Sequence, residues 1–217
     1  MHQLWRALVC SFLLLNPLLL SGQNIDWPLS YGDMQKDLES FKEIRRQANS
    51  GLHKYRSPAQ IYSFYAVADE AIKQMSTYRE FYNLICLLTD FEGSLHNETY
   101  LPDEVTRSLK EETWGYFPYP VKVIGGRLYL NFTADEIPLG AELLSLNGYD
   151  VPALLPVLYK YYTTDGYNLS GKAIGITASF SKYFRLAYGL QEKFTLTYCP
   201  HGGTDTQTVT ITIDGVN

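Results

Sequence analysis

Between Met34 and Ala48 the apolar residues recur at intervals of three and four. Met34, Leu38, Phe41, Ile44 and Ala48 therefore share one face of a helix that Asp33 caps and Gly51 ends. The stretch Ser57-Pro58-Ala59-Gln60 supplies an N-cap, a proline at the first helical position and a glutamine placed to reach back. It opens a second helix whose apolar face carries Ile61, Phe64, Tyr65, Ala68, Ile72 and Met75. Thr77 and Glu80 repeat the device for a third helix, which buries Phe81, Leu84, Ile85 and Leu88 and stops at Gly93. Short connections between such helices predict a small antiparallel three-helix bundle.

After "WGYFPYP" the apolar period drops to two. "VKVIGGRLYLNF" alternates about Gly125-Gly126, with Leu128, Leu130 and Phe132 on one face, which predicts a hairpin. "AELLSLNGYDV" is a further strand ending in Asn147-Gly148, a pair that tolerates the positive φ of a tight turn. Asp150 then caps a helix with Pro152 at its start. Residues 166–190 are ambiguous, with helical character around "SKYFRLAYG". The strands "KFTLTYC" and "TVTITI" close the chain, and Val209, Ile211 and Ile213 alternate with threonines, so one face is buried and the other wet. The expected class is α+β, with a helical domain over residues 23–113 and a mixed domain over 114–217.

Composition adds limits on partners and compartment. The 217 residues are 46% hydrophobic, enough for one or two compact domains and too much for a disordered chain. In residues 1–22, Arg6 precedes an apolar run of about 13 residues, short of the ~20 that span a bilayer. That reads as a secretory signal peptide cleaved near Ser21, Gly22 or Gln23, leaving an exported chain, periplasmic or extracellular, with no integral membrane segment. A net charge of −5 without a long Lys/Arg run argues against nucleic acid and anionic membrane surfaces as partners. Cys86 lies within apolar "NLICLLT" and reads as core. Cys199 belongs to the other half, so a bridge between them is not expected even though export would permit one. His53 and His201 stand apart from any Cys/His/Asp cluster, so neither a metal nor a cofactor is expected.

The order of these parts resembles a known family. Three helices, a G-x-x-H turn at Gly93 to His96, "YFPYPVKVIGGRLYL" and "EIPLGAELLSLNGYDV" together are similar to exported bacterial members of the carboxy-terminal processing (tail-specific) serine peptidase family. The most specific match is "IPLGAELLSLNG", where Pro138 and Gly140 precede a strand, through Leu144 and Leu146, that ends in Asn147-Gly148. "TTDGYNLSGK" and "FSKYFRLAYG" look like the helical insertion of such proteins. The resemblance implies a PDZ-like small β-barrel or sandwich with a helical insertion over residues 114–217. It also implies a polypeptide or protein partner, with Pro138, Gly140, Leu144 and Leu146 as binding-motif residues of mainly structural use. Many exported members carry Gly-Asp-Gly-His-Thr after the third helix, and in one branch a histidine near this place works with a serine supplied much later. Here Gly93-Ser94-Leu95-His96-Asn97 keeps the glycine and the histidine, which makes His96 the candidate catalytic residue. Leu95 lacks the backbone freedom of the glycine it replaces. In the family the nucleophile and its base sit in an α/β core after the PDZ-like domain, and this sequence stops at "TITIDGVN", where that core would begin. The chain alone is therefore not expected to hydrolyse peptides.

Plainer readings compete. His96 also fits a polar loop residue near a helix C-terminus, where the dipole favours it. Ser179 and Lys182 match S-x-x-K, but no S-D-N or K-T-G accompanies them. Asp135 and Glu136 read as solvated loop acids. Two functions remain: the non-catalytic recognition part of an exported serine-type endopeptidase, or a stand-alone exported peptide- or protein-binding scaffold without chemistry.

Overall fold

A computed structural model describes residues 25–111, 115–133 and 137–213. The expected signal peptide and the pair Asp135 and Glu136 lie outside them.

The first half is helical: α1 (Tyr31–Ala48), α2 (Pro58–Ala71), α3 (Tyr78–Glu92) and α4 (Asp103–Glu111). The two capping boxes form as their sequences imply, with the Ser57 and Thr77 side chains accepting from the backbones of Gln60 and Glu80. At α1 the cap is Ser30, which accepts from the Asp33 N–H, so Asp33 sits one turn inside the helix rather than at its boundary. Met34 and Leu38 of α1 pack with Ile61, Tyr65 and Ala68 of α2 and Phe81, Leu84 and Leu88 of α3. Further along α1 the apolar stripe leaves the core, and Ile44 is 61% exposed. Helix α4 was not anticipated, although Asp103 and Glu104 in its first turn and Val105 and Leu109 one turn apart are legible signals.

The second half is one antiparallel sheet carrying two helices. Its strands are β1 (Val121–Ile124), β2 (Arg127–Leu130), β3 (Glu142–Leu146), β4 (Tyr149–Asp150), β5 (Lys193–Cys199) and β6 (Gln207–Thr212). The order is β1-β2-β3-β5-β6, with β4 hairpinned onto β3. The sheet is open, so the expected small barrel or sandwich takes the form of a single sheet with edges at β1 and β6. Gly125 and Gly126, at φ 59° and 76°, make the two-residue turn that right-handed strand twist favours. Helices α5 (Val151–Tyr159) and α6 (Leu169–Tyr188) cover one face. Leu154 and Leu158 of α5 and Ile176, Phe180 and Phe184 of α6 meet Leu128, Leu130, Leu143, Phe194 and Leu196 of the sheet. Phe132 is not in that core. It is 50% exposed and stacks on Tyr119, since β2 ends at Leu130 and the alternation ends with it.

Helix α3 joins the halves by a second face. Arg79 donates to the Ala187 carbonyl (3.0 Å), Asn83 donates to the Leu186 carbonyl (3.0 Å), and Asp90 pairs with Lys172 of α6. Burial pushes the Asp90 carboxyl up and the Lys172 ammonium down, while their mutual attraction opposes both shifts. Cys86 lies on the same side, buried in a small cluster with Tyr82, Val105 and Leu186. Cys86 and Cys199 are both free thiols. No helix among the described residues is long and apolar enough to cross a membrane.

Candidate functional site

The loop bearing His96 is built on a buried acid. Gly93 ends α3 in the left-handed region at φ 73°, with the Tyr55 ring packed where a side chain would otherwise project. Its carbonyl accepts from the Gly166 N–H (2.8 Å), and the Leu95 N–H donates to Asp165 Oδ1 (3.1 Å). Asn97 turns inward and donates to Glu92 (2.8 Å), whose carboxylate also accepts from the Tyr65 hydroxyl (3.2 Å) and the Asn49 amide (3.2 Å). Arg45 Nε lies 3.5 Å from the same carboxylate. Glu92 is 1% exposed, and this burial pushes its carboxyl up against the pull of Arg45. Asn97 thus has a structural task, holding the loop to the helix end.

His96 itself is exposed. It lines a depression of about 450 Å³ with Lys54, Ser94 and Asp165, and it makes no hydrogen bond or ion pair among the described residues. Neither Ser50 nor Ser94, which line the same depression, is hydrogen-bonded to the ring.

The other motif residues lie elsewhere. Gly140, at φ 77°, donates its N–H to the Leu130 carbonyl (2.9 Å), and Pro138 accepts from the Ala141 N–H (3.2 Å), so the two shape the link from β2 to β3. Leu146 is fully buried in the sheet core, and Leu144 lies at the register shift between Leu143 and Ser145. None of Pro138, Gly140, Leu144 and Leu146 lines the His96 depression. Ser179 of the S-x-x-K match marks a kink in α6 at φ −141°, and its hydroxyl engages Tyr183.

The feature that sequence reasoning missed is the edge of the sheet at β1. The Asn131 N–H donates to the Pro120 carbonyl (2.8 Å), and in an antiparallel ladder the bonding direction alternates. Lys122 and Ile124 therefore bond to β2, while Val121 and Val123 turn their N–H and C=O groups outward. The outward Val123 N–H is met by the Thr177 hydroxyl of α6 at 3.1 Å. Between β1 and α6 runs a groove of about 980 Å³, lined by Val123 and Ile124 on the strand and Leu169, Ala173, Ile174 and Thr177 on the helix. Its apolar walls are open: Ile124 is 58%, Leu169 63% and Ile174 66% exposed. The helical spacing of Leu169, Ala173 and Thr177 was available in the sequence, but not the strand they face.

Among solved structures the chain is similar to mature CPAF, at 16% identity and a TM-score of 0.54 over 86% of this chain and 35% of that one. A serine-to-alanine variant of CPAF matches at 17% identity and a TM-score of 0.55 over 86% of this chain and 34% of that one. The likeness shows a shared fold, and the chain spans about a third of the length of these relatives. No protein-family model matches the sequence, and no curated protein does.

Proposed function

We propose that this chain is the recognition portion, itself non-catalytic, of an exported serine-type endopeptidase of the tail-specific kind, and that an extended polypeptide enters between β1 and α6. On this reading residues 114–217 are the PDZ-like domain and residues 23–113 the helical domain. The fold shared with CPAF supports it. The observation that carries it is the edge strand β1, whose outward Val123 backbone groups face an open apolar groove floored by a helix. An added strand satisfies those groups along its main chain, and its alternate side chains settle against Ile124, Leu169 and Ile174. Thr177 must first release the Val123 N–H. His96 then has its role only beside a serine borne on a following core.

Binding is tested by titrating the protein with a library of ten-residue peptides while following backbone amide signals. Peptides with alternating apolar residues should perturb Val121, Val123 and the amides of α6. Perturbations confined to β6 or to α1–α4 would overturn the assignment. The peptidase half of the reading is tested by intact mass and peptide mapping of the protein from its native source. Peptides of a serine-bearing core beyond Asn217 support it, and His96→Ala in that longer protein should then abolish turnover. A native protein without such a core would be a stand-alone peptide-binding scaffold.

A further inference from the structure

Away from the groove, three tyrosines from different parts of the chain stack where the two halves meet. Tyr82 of α3 lies 6.5 Å from Tyr161, just beyond α5, and Tyr161 lies 5.3 Å from Tyr183 of α6, with both ring pairs nearly parallel. Their rings wall a cavity of about 270 Å³ that shares no lining residue with the β1–α6 groove. That volume falls just below the ~300–1,000 Å³ of drug-sized sites, so its occupant is small.

The polar groups of this cavity are unevenly matched. Lys160 and Lys182 both line it, and neither forms an ion pair among the described residues. Lys160 is half-buried, with its ammonium 5.0 Å from the centre of the Tyr161 ring. Burial lowers its hold on the proton, and no carboxylate acts on it in return. Thr163, also a lining residue, is 9% exposed, and its hydroxyl has no hydrogen-bond partner among the described residues. Buried polar atoms in folded proteins nearly always have one. The acid present is Glu98, which accepts from the Tyr100 hydroxyl. Cys86 contributes no chemistry, since burial pushes its thiol up to about 12.

We propose that this cavity binds a free aromatic carboxylate of about amino-acid size, its ring among Tyr82, Tyr161 and Tyr183 and its carboxylate on Lys160. Lys182 draws the anion in from the exposed side, and Glu98 opposes it. The probe is 3-phenylpropionate, with its neutral amide as the control, titrated against the purified chain and followed by amide and tyrosine signals. The acid should bind saturably and the amide at least about tenfold more weakly, because a charge-assisted bond is lost. Lys160→Met should weaken the acid by a similar factor, and Glu98→Gln should tighten it by about threefold. Ile174→Glu, in the groove, should leave it unchanged. Equal binding of acid and amide, or an affinity indifferent to both Lys160→Met and Glu98→Gln, would overturn the proposal. Absence of saturable binding would do the same, leaving a cavity that holds solvent only. Glu98→Gln, at an exposed residue, keeps the test decisive if Lys160→Met does not fold.

Discussion

The sheet has two edges, and they differ in what lies beyond them. At β6 the exposed face is polar: Thr208 and Thr210 pair through their hydroxyls with Thr197 and Thr195 of β5, and the strand's main neighbour is β5. At β1 the edge faces α6, an apolar groove and a threonine hydroxyl that occupies one backbone donor. An unpaired strand is a template for another chain wherever it is exposed. What distinguishes a recognition site from a hazard is therefore the wall beside it, because a wall supplies side-chain discrimination that backbone bonds cannot.

That contrast can be broken most directly at the backbone. Val123→Pro removes the outward donor of β1 and should lower peptide affinity by more than about tenfold in a calorimetric titration. The matched Thr210→Pro, on the free side of β6, should leave peptide affinity unchanged, and an equal loss in both variants would erase the distinction between the edges. A charge in the wall comes next. Ile174→Glu should weaken apolar peptides by about tenfold through desolvation of the carboxylate, with circular dichroism unaltered because Ile174 is exposed in the free protein. Thr177→Val should act in the opposite direction. It frees the Val123 N–H, so peptide affinity should rise by about two- to fivefold, while that amide exchanges with solvent faster when no peptide is present. The smallest effect is expected at β6, where Thr208→Val with Thr210→Val should change stability by only a few tenths of a kcal/mol yet raise self-association in light scattering.

The two halves also differ in how far they could be read from sequence. Ser57 with Gln60, and Thr77 with Glu80, act over a single turn, so their geometry follows from local chemistry and reappears intact. The Asn147-Gly148 turn, at φ 50° and 81°, is legible for the same reason. Ile44 and Phe132 mark the limit of such reasoning. Each continues an apolar period beyond the point where a neighbouring element covers it, and periodicity carries no information about where cover ends. The surroundings of His96 were less legible still. Glu92 reads as one more acid at a helix end, and only the approach of Tyr65, Asn49 and Asn97 makes it the buried anchor of the loop.

By itself the sequence determined the two capping boxes, the two tight turns and the α+β class. These depend on contacts between residues a few positions apart, where the backbone leaves little choice. The tertiary structure alone decided that Thr177 meets Val123, across 54 positions of chain, and that Tyr82, Tyr161 and Tyr183 enclose one cavity. Such pairings are set by which apolar faces bury one another, a property of the whole core rather than of any segment within it.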